Sequence, residues 1–358
     1  MTDGRAPAIG IEELQLAARN HGMPLEALRH DVTPAGLHYL LIHYDIPEVD
    51  PADWRLAIDG AVRAPLSLSL DELRSMPAST LAVTLECAGN GRALLDPHVE
   101  SQPWLVEAVG NAEWTGTPLR GVIERAGVDP GVVELVFTGL DHGLDHEVEQ
   151  DYQRSLPLAE AMRDDVLLVY EMNGAPLPPQ HGFPLRLVVP GWYGMAHVKW
   201  LASVTATTEP FAGFQMSRTY RLWSDSDAED APGVAVERIL PRALLRPPGF
   251  PDFYTRRRIV DRGDVALEGR AWSGLGPVER VEVSVDDGST WADARLGALP
   301  QSPYAWRPWT FAWAARPGEH VLSCRAIDAT GATQPLSTVW NRGGFQNNVV
   351  HRVPVTVR

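Results

Sequence analysis

The chain has 358 residues, enough for two sizeable cores, and its 44% hydrophobic content is ordinary for a globular protein. A formal charge of -15 argues against a general nucleic-acid or anionic-membrane binder, so any anionic substrate needs a local basic pocket. With 30 prolines and 31 glycines, short elements and many turns are expected rather than long helices.

In chain order, Met1–Ala8 carries no apolar signal core and no twin-arginine pair, and no run is long enough to span a bilayer. A cytoplasmic location is the simplest expectation. Residues 1–32 read as an N-terminal arm, with a short helical pattern from Ile11 to Arg19. Residues 33–256 read as a mixed α+β domain, of which 221–256 is a linker. Its strand candidates are Trp54–Ile58, Leu81–Leu85, Val132–Thr138, Val166–Glu171, Leu185–Val189 and Val198–Thr205. Its helix candidates, Leu70–Ser75, Pro118–Ala126 and Leu158–Arg163, each follow a Ser, Thr or Pro entry signal. Asn173-Gly174 marks a hairpin turn, and the acidic stretch Ser224–Pro232 reads as an exposed connector. From 257 to 358 the texture is all-β. Val281, Val283 and Val285 alternate with polar residues, Asp287-Gly288 turns, and Trp309, Phe311 and Trp313 alternate again. That spacing suggests a β-sandwich of about 100 residues.

The densest chemical signal is Thr84-Leu-Glu-Cys87-Ala-Gly-Asn-Gly-Arg92. A strand delivers a lone cysteine into a loop of small residues, which leave room for a bulky cofactor. A cysteine so placed can be a soft thiolate ligand for a transition metal, although a buried structural cysteine is the commoner case. The other cysteine, Cys324, falls in the second domain, so a disulfide framework is not expected.

A second cluster offers His181, Arg186, His197 and Lys199 around Gly-Pro-rich turns, with alternation placing His197 and Lys199 on one strand face. Four such donors suit a phosphate or another polyanion. Lys199 is the single lysine beside 30 arginines, a weak hint that this position wants an ammonium. Arg92, Trp104, Trp114 and Tyr220 form a third set, in which the aromatics read as core but Arg92 follows the cysteine loop directly. His142 and His146 beside Asp141 and Asp145 lack a metal-binding frame, so a separate zinc site is not expected.

Together, Thr84-Leu-Glu-Cys-Ala-Gly-Asn90, Tyr170-Glu-Met-Asn-Gly174, His181-Gly-Phe-Pro-Leu-Arg186 and His197-Val-Lys-Trp-Leu201 resemble the sulfite oxidase family of molybdenum enzymes. The resemblance runs from about Thr33 to the C-terminus. It implies a molybdopterin domain followed by an immunoglobulin-like dimerisation domain. It also implies Cys87 as the protein ligand of molybdenum, and Tyr39, His43, Asp141, His181, Arg186, His197 and Lys199 around the pterin and its phosphate. Tyr220, Trp104 and Arg92 match the family's active-site tyrosine, pocket tryptophan and a substrate-facing arginine.

Two positions depart from the family pattern. Leu41 stands where the family has an arginine, and Gly343 stands at another arginine position, with Arg342 shifted by one. The implied activity is oxygen-atom transfer converting sulfite to sulfate. No haem-binding segment is recognised, so electrons are expected to pass to a separate acceptor, a cytochrome or oxygen. A two-fold homodimer is expected. The departures leave open a second substrate class, an S-oxide or nitrate. A cofactor-free binding protein is the remaining alternative.

Overall fold

The chain was analysed as a computed structural model that describes residues 9–228 and 230–358. The Met1–Ala8 stretch lies outside the described residues, as does Glu229 in the connector. The helix α1 (Ile11–Arg19) begins where the Gly10 N–H donates to the Glu13 carboxylate at 2.9 Å. After it the chain forms β1 (Leu56–Gly60), β2 (Leu66–Leu68) and α2 (Leu70–Arg74). Ser69 and Glu72 close a reciprocal capping box at the start of α2, satisfying two backbone donors. There follow β3 (Ser79–Glu86), β4 (Val109–Pro118), α3 (Leu119–Ala126), β5 (Glu134–Asp145), β6 (Val148–Pro157) and α4 (Leu158–Ala161). The first part ends with β7 (Leu167–Met172), β8 (Ala175–Pro176), β9 (Arg186–Val188) and β10 (Leu201–Thr207).

These strands make two sheets, ordered β2-β1-β10-β5-β6 and β3-β4-β7-β8, with β9 added on β7. The amphipathic α3 buries Leu119, Val122, Ile123 and Ala126 in a core shared with Ile58, Phe137, Leu168, Leu187 and Val204. Helices are few and short; α1, at nine residues, is the longest among the described ones. The domain is therefore richer in strand than a balanced α+β reading suggests. Both long strands absent from the sequence reading, β4 and β6, are antiparallel partners of strands it contains.

One strand expectation needs correction. Val198–Lys199 is not strand: β10 begins at Leu201. A tight turn at Gly194–Ala196 and a left-handed Trp200 (φ 49°) break the extended chain, and the Trp200 indole is anchored on Pro179 O at 2.8 Å. His197 and Lys199 therefore meet through loop geometry, not strand alternation.

The chain continues through a small hairpin, β11 (Arg221–Leu222) and β12 (Val234–Ala235), around the exposed connector. Next come β13 (Arg242–Leu245), β14 (Phe250–Pro251), β15 (Arg258–Val260), β16 (Gly263–Trp272), β17 (Val278–Ser284) and β18 (Ala292–Asp293). The last strands are β19 (Arg295–Leu296), β20 (Arg307–Ala315), β21 (Gly318–Asp328) and β22 (His351–Val357). They form sheets ordered β13-β16-β20-β19 and β14-β15-β22-β21-β17-β18. Between them lies a core of Leu245, Val281, Val283, Trp309, Trp313, Leu322 and Val355. The strand β13 pairs with β16 from Arg242↔Trp272 to Leu245↔Gly269, so this sandwich recruits chain from upstream of residue 257. A third cluster, with Ala88, Tyr193, Tyr220, Leu244, Trp272 and Phe345, packs the sandwich against the cysteine loop.

Candidate functional site

Strand β3 pairs with β4 along its whole length, and the Cys87 N–H extends the ladder to Ala108 O at 2.9 Å. Cys87 thus leaves the sheet edge at a fixed place. The turn behind it closes where Asn90 N–H donates to Cys87 O at 3.0 Å and Gly91 turns at φ 93°. Asn90 Nδ2 reaches back to Glu86 Oε1 at 3.0 Å. Cys87 is 6% exposed and free, as is buried Cys324. Burial pushes the Cys87 thiol up, and the nearby Arg92 guanidinium is the main force opposing that shift.

All the residues implied for the cofactor line one cavity: Tyr39, His43, Cys87, Asp141, His181, Arg186, His197 and Lys199. An adjoining cavity also borders Cys87 and His43, and contains Arg92, Trp104 and Tyr220. The expected set is therefore gathered around the Cys87 sulfur without a missing member.

The histidines are held neutral. Burial depresses His43 and His197 to about 3, His181 to about 2 and the adjacent His38 to about 4. His197 spends both ring nitrogens on the backbone. Val189 N–H donates to Nδ1 at 3.0 Å, and Nε2–H donates to Trp192 O at 3.0 Å. It therefore shapes the loop between β9 and β10. His43 Nε2 meets Tyr220 OH at 2.6 Å and stacks on Tyr152 with centroids 4.6 Å apart.

The cations are the distinctive feature. Arg92, Arg154 and Arg186 are buried, yet no carboxylate lies within ion-pairing distance of them or of Lys199 among the described residues. Arg186 donates to His181 O at 3.0 Å and sits over the Trp114 ring, with its Nε unpartnered. Lys199 Nζ donates to Leu41 O at 2.8 Å and Gln180 O at 3.3 Å. Burial lowers Lys199 to about 7, and Arg186 adds to that shift while Asp141 opposes it. Burial likewise raises Asp141 to about 6, opposed by Lys199. Buried charges are ordinarily paired. Unpaired cations with spare donors, beside the orphan Asp141 Oδ1 and Trp104 Nε1, fit a polar, polyanionic group such as a phosphate-bearing pterin.

Arg92 donates to Gly343 O at 3.1 Å and Gln102 O at 3.3 Å, and lies over the Phe345 ring. An ideal Cβ on Gly89 would come within 2.7 Å of that guanidinium. The small residue there makes room for Arg92. Arg342 does not line the cavity bordering Cys87. It sits further out, donating to Asp227 O and to Ala228 O at 3.4 Å. His142 is exposed and engaged by Asp151 and Glu149, and no cluster of three metal-ligating side chains occurs among the described residues.

Several site residues escape the sequence reading. Tyr152 and Arg154 lie on β6 at alternate positions, buried on either side of half-buried Gln153, although Ser155 beside them is buried too. That period of two was the available signal. Leu16 and Asn20, from α1 and its end, also border the second cavity. Nothing local in a surface helix marks such a role.

The oxidoreductase molybdopterin binding domain family matches residues 43–215, and the Mo-co oxidoreductase dimerisation domain family matches 255–358. Mitochondrial sulfite oxidase from Mus musculus is 37% identical over 348 residues, spanning 91% of this chain and 62% of that protein. Sulfite oxidase from Arabidopsis thaliana is 33% identical over 347 residues, spanning 90% of this chain and 87% of that one. The crystal structure of the sulfane dehydrogenase SoxCD from Paracoccus pantotrophus superposes with a TM-score of 0.80 at 25% identity, covering 100% of this chain and 95% of that one. The chain thus spans somewhat under two thirds of the mammalian relatives. With both family domains in order and relatives at this level of identity, the chain belongs to the sulfite oxidase family of molybdopterin oxidoreductases.

Proposed function

We propose that this protein oxidises a small sulfur oxyanion of the sulfite type, passing two electrons to a separate acceptor, and that it works as a homodimer through an immunoglobulin-like sandwich. The observation that carries the reading is the set of buried, unpaired cations around Cys87. Molybdenum held by molybdopterin supplies the two-electron oxygen-transfer chemistry.

In this reading the residues divide the work. Cys87 is the protein thiolate for the metal, and Arg92 is the first of the groups that favour its deprotonation against burial. Arg186 and Lys199 hold the phosphate end of the pterin. Tyr39, Asp141 and His181 offer hydrogen bonds along it, and His197 keeps the loop in place. Arg92 offsets the substrate charge, while Tyr220, tethered to His43, donates to an oxygen in the neighbouring cavity. Trp104 covers the cysteine and sheds water. Water contributes the oxygen that joins sulfur, and two protons leave with the two electrons.

The test is molybdenum content with sulfite:ferricyanide turnover on the same sample. About one metal per chain with sulfite-dependent reduction is expected. Metal-loaded protein without turnover of any sulfur oxyanion would overturn the reading.

A further inference from the structure

Arg92 is the one guanidinium or ammonium among the described residues that line the cavity it shares with Cys87. The cavity that joins Arg92 to Cys87 has a volume of about 320 Å³. Beside Arg92, the Asp145 carboxylate and the His146 imidazole lie toward the rim. His43 is neutral there. Arg342 and Arg218 border only the outer cavity. The inner cavity also carries apolar lining: Leu16 from α1, Leu41, Ile42, Leu144 and Phe345.

Arg92 has five N–H donors, and three are used on Gly343 O and Gln102 O. Two remain, one on each terminal nitrogen, enough to meet two oxygens of one anion. The neutral donors Trp104 Nε1 and Thr219 Oγ1 are also unpartnered and can share those oxygens. A third, charged oxygen would face the leucines, and the Asp145 carboxylate would repel a second negative charge.

The α1 helix contributes Leu16 to this apolar lining. The Asn20 side chain ties its end to both flanking loops, donating to Gln102 Oε1 at 3.1 Å and accepting from Ile42 N–H at 2.8 Å. The buried Glu13 holds its start against His98 at 2.8 Å.

We propose that the preferred substrate is an organic sulfinate, R–SO₂⁻, with its two oxygens on Arg92 and its carbon substituent against Leu41 and Leu16. This rests on the sulfite-type reading above and specifies it. A sulfinate is sulfite with one oxygen replaced by carbon, so it keeps the sulfur lone pair and carries one charge. The reaction balances as R–SO₂⁻ + H₂O → R–SO₃⁻ + 2 H⁺ + 2 e⁻. The S–O bond forms with the water oxygen, the C–S bond is untouched, and the electrons leave by the route sulfite would use.

The experiment uses molybdenum-loaded protein. Ferricyanide reduction is measured with sulfite, methanesulfinate and benzenesulfinate, and calorimetry compares the unreactive anions methanesulfonate and sulfate. Expected are a kcat/KM for methanesulfinate at least tenfold above that for sulfite, and tighter binding of methanesulfonate than of sulfate. L41R reverses both orders by supplying the missing charge. L16A, on a half-exposed helix face that should not disturb folding, raises kcat/KM for benzenesulfinate relative to methanesulfinate. Sulfite turnover with sulfate bound more tightly than methanesulfonate, unchanged in sense by L41R, overturns the sulfinate assignment alone. Turnover of neither substrate overturns the parent reading and this one with it.

Discussion

Glu86 and Arg242 form an ion pair at 2.7 Å in which each side chain is only 1% exposed. Glu86 ends β3, one residue before Cys87, and Arg242 opens β13 of the sandwich. The Trp272 indole donates to the other carboxylate oxygen at 2.7 Å, and Arg242 also donates to Asn90 O in the cysteine turn at 3.3 Å. The carboxylate next to Cys87 is thus neutralised by the second domain, which at the same time pins the turn.

Removing one partner strands a buried charge. Arg242→Met is expected to lower unfolding free energy by about 3–5 kcal/mol. The double variant Glu86→Gln, Arg242→Met is expected to recover much of that. Denaturant titrations of the two single variants and the double variant check the cycle. A loss in the double variant equal to the sum of the two single losses would show that the pair carries no coupling.

Arg92 is the cation nearest the proposed substrate position. Arg92→Met is expected to raise KM for sulfite by roughly 10- to 100-fold, since a charge-assisted hydrogen bond is worth about 1.5–3 kcal/mol. Molybdenum content is expected to fall less than turnover, because Arg92 favours the Cys87 thiolate but does not line the cavity of the pterin-binding set. Steady-state kinetics and elemental analysis on one preparation separate the two effects.

The two loop glycines separate in their consequences. Gly89→Ala pushes a Cβ into the Arg92 guanidinium and should cost turnover with little loss of stability. Gly91→Ala forces a side chain onto a φ of 93° with Asn347 O at 2.6 Å, and should cost stability by about 1–3 kcal/mol. Thermal melts alongside sulfite assays distinguish them.

Lys199 and Asp141 make anion binding pH-dependent. Folding lowers Lys199 from 10.5 to about 7, so the stability tied to its neutral form is full above 10.5 and lost as pH falls through 7. Folding raises Asp141 from 3.8 to about 6, so its contribution is present below 3.8 and lost as pH rises through 6. Near neutrality the anion-free site therefore carries both penalties. A bound phosphate group restores the ammonium. At pH 8, binding of pyrophosphate to cofactor-free protein is expected to take up a proton at Lys199. Calorimetry in buffers of different ionisation enthalpy measures that uptake, and Lys199→Met abolishes it.

The sequence carries the site unevenly. Cys87 and its glycine turn are local, so their spacing alone places a sulfur at a strand end. The cations are legible as a set because an acidic chain concentrates its one lysine and two histidines beside Arg186. What escapes is long-range. Arg242 meets Glu86 across 156 positions, and Asn20 meets Gln102 across 82. No periodicity encodes either pairing. The extended reading of Val198–Lys199 fails because a left-handed Trp200 is imposed by its indole's tertiary anchor, which overrides local β-preference.

The one lysine has a practical corollary. Apart from the chain's α-amine, Lys199 is the protein's entire supply of primary amine, and it faces the cavity rather than the outer surface. With its pKa near 7 it is a good nucleophile at mild pH when that cavity is open. A small acylating reagent should therefore label the side chain once, in cofactor-free protein, and hardly at all when phosphate fills the pocket. Intact mass after such labelling would count loaded and unloaded molecules directly, without reference to turnover.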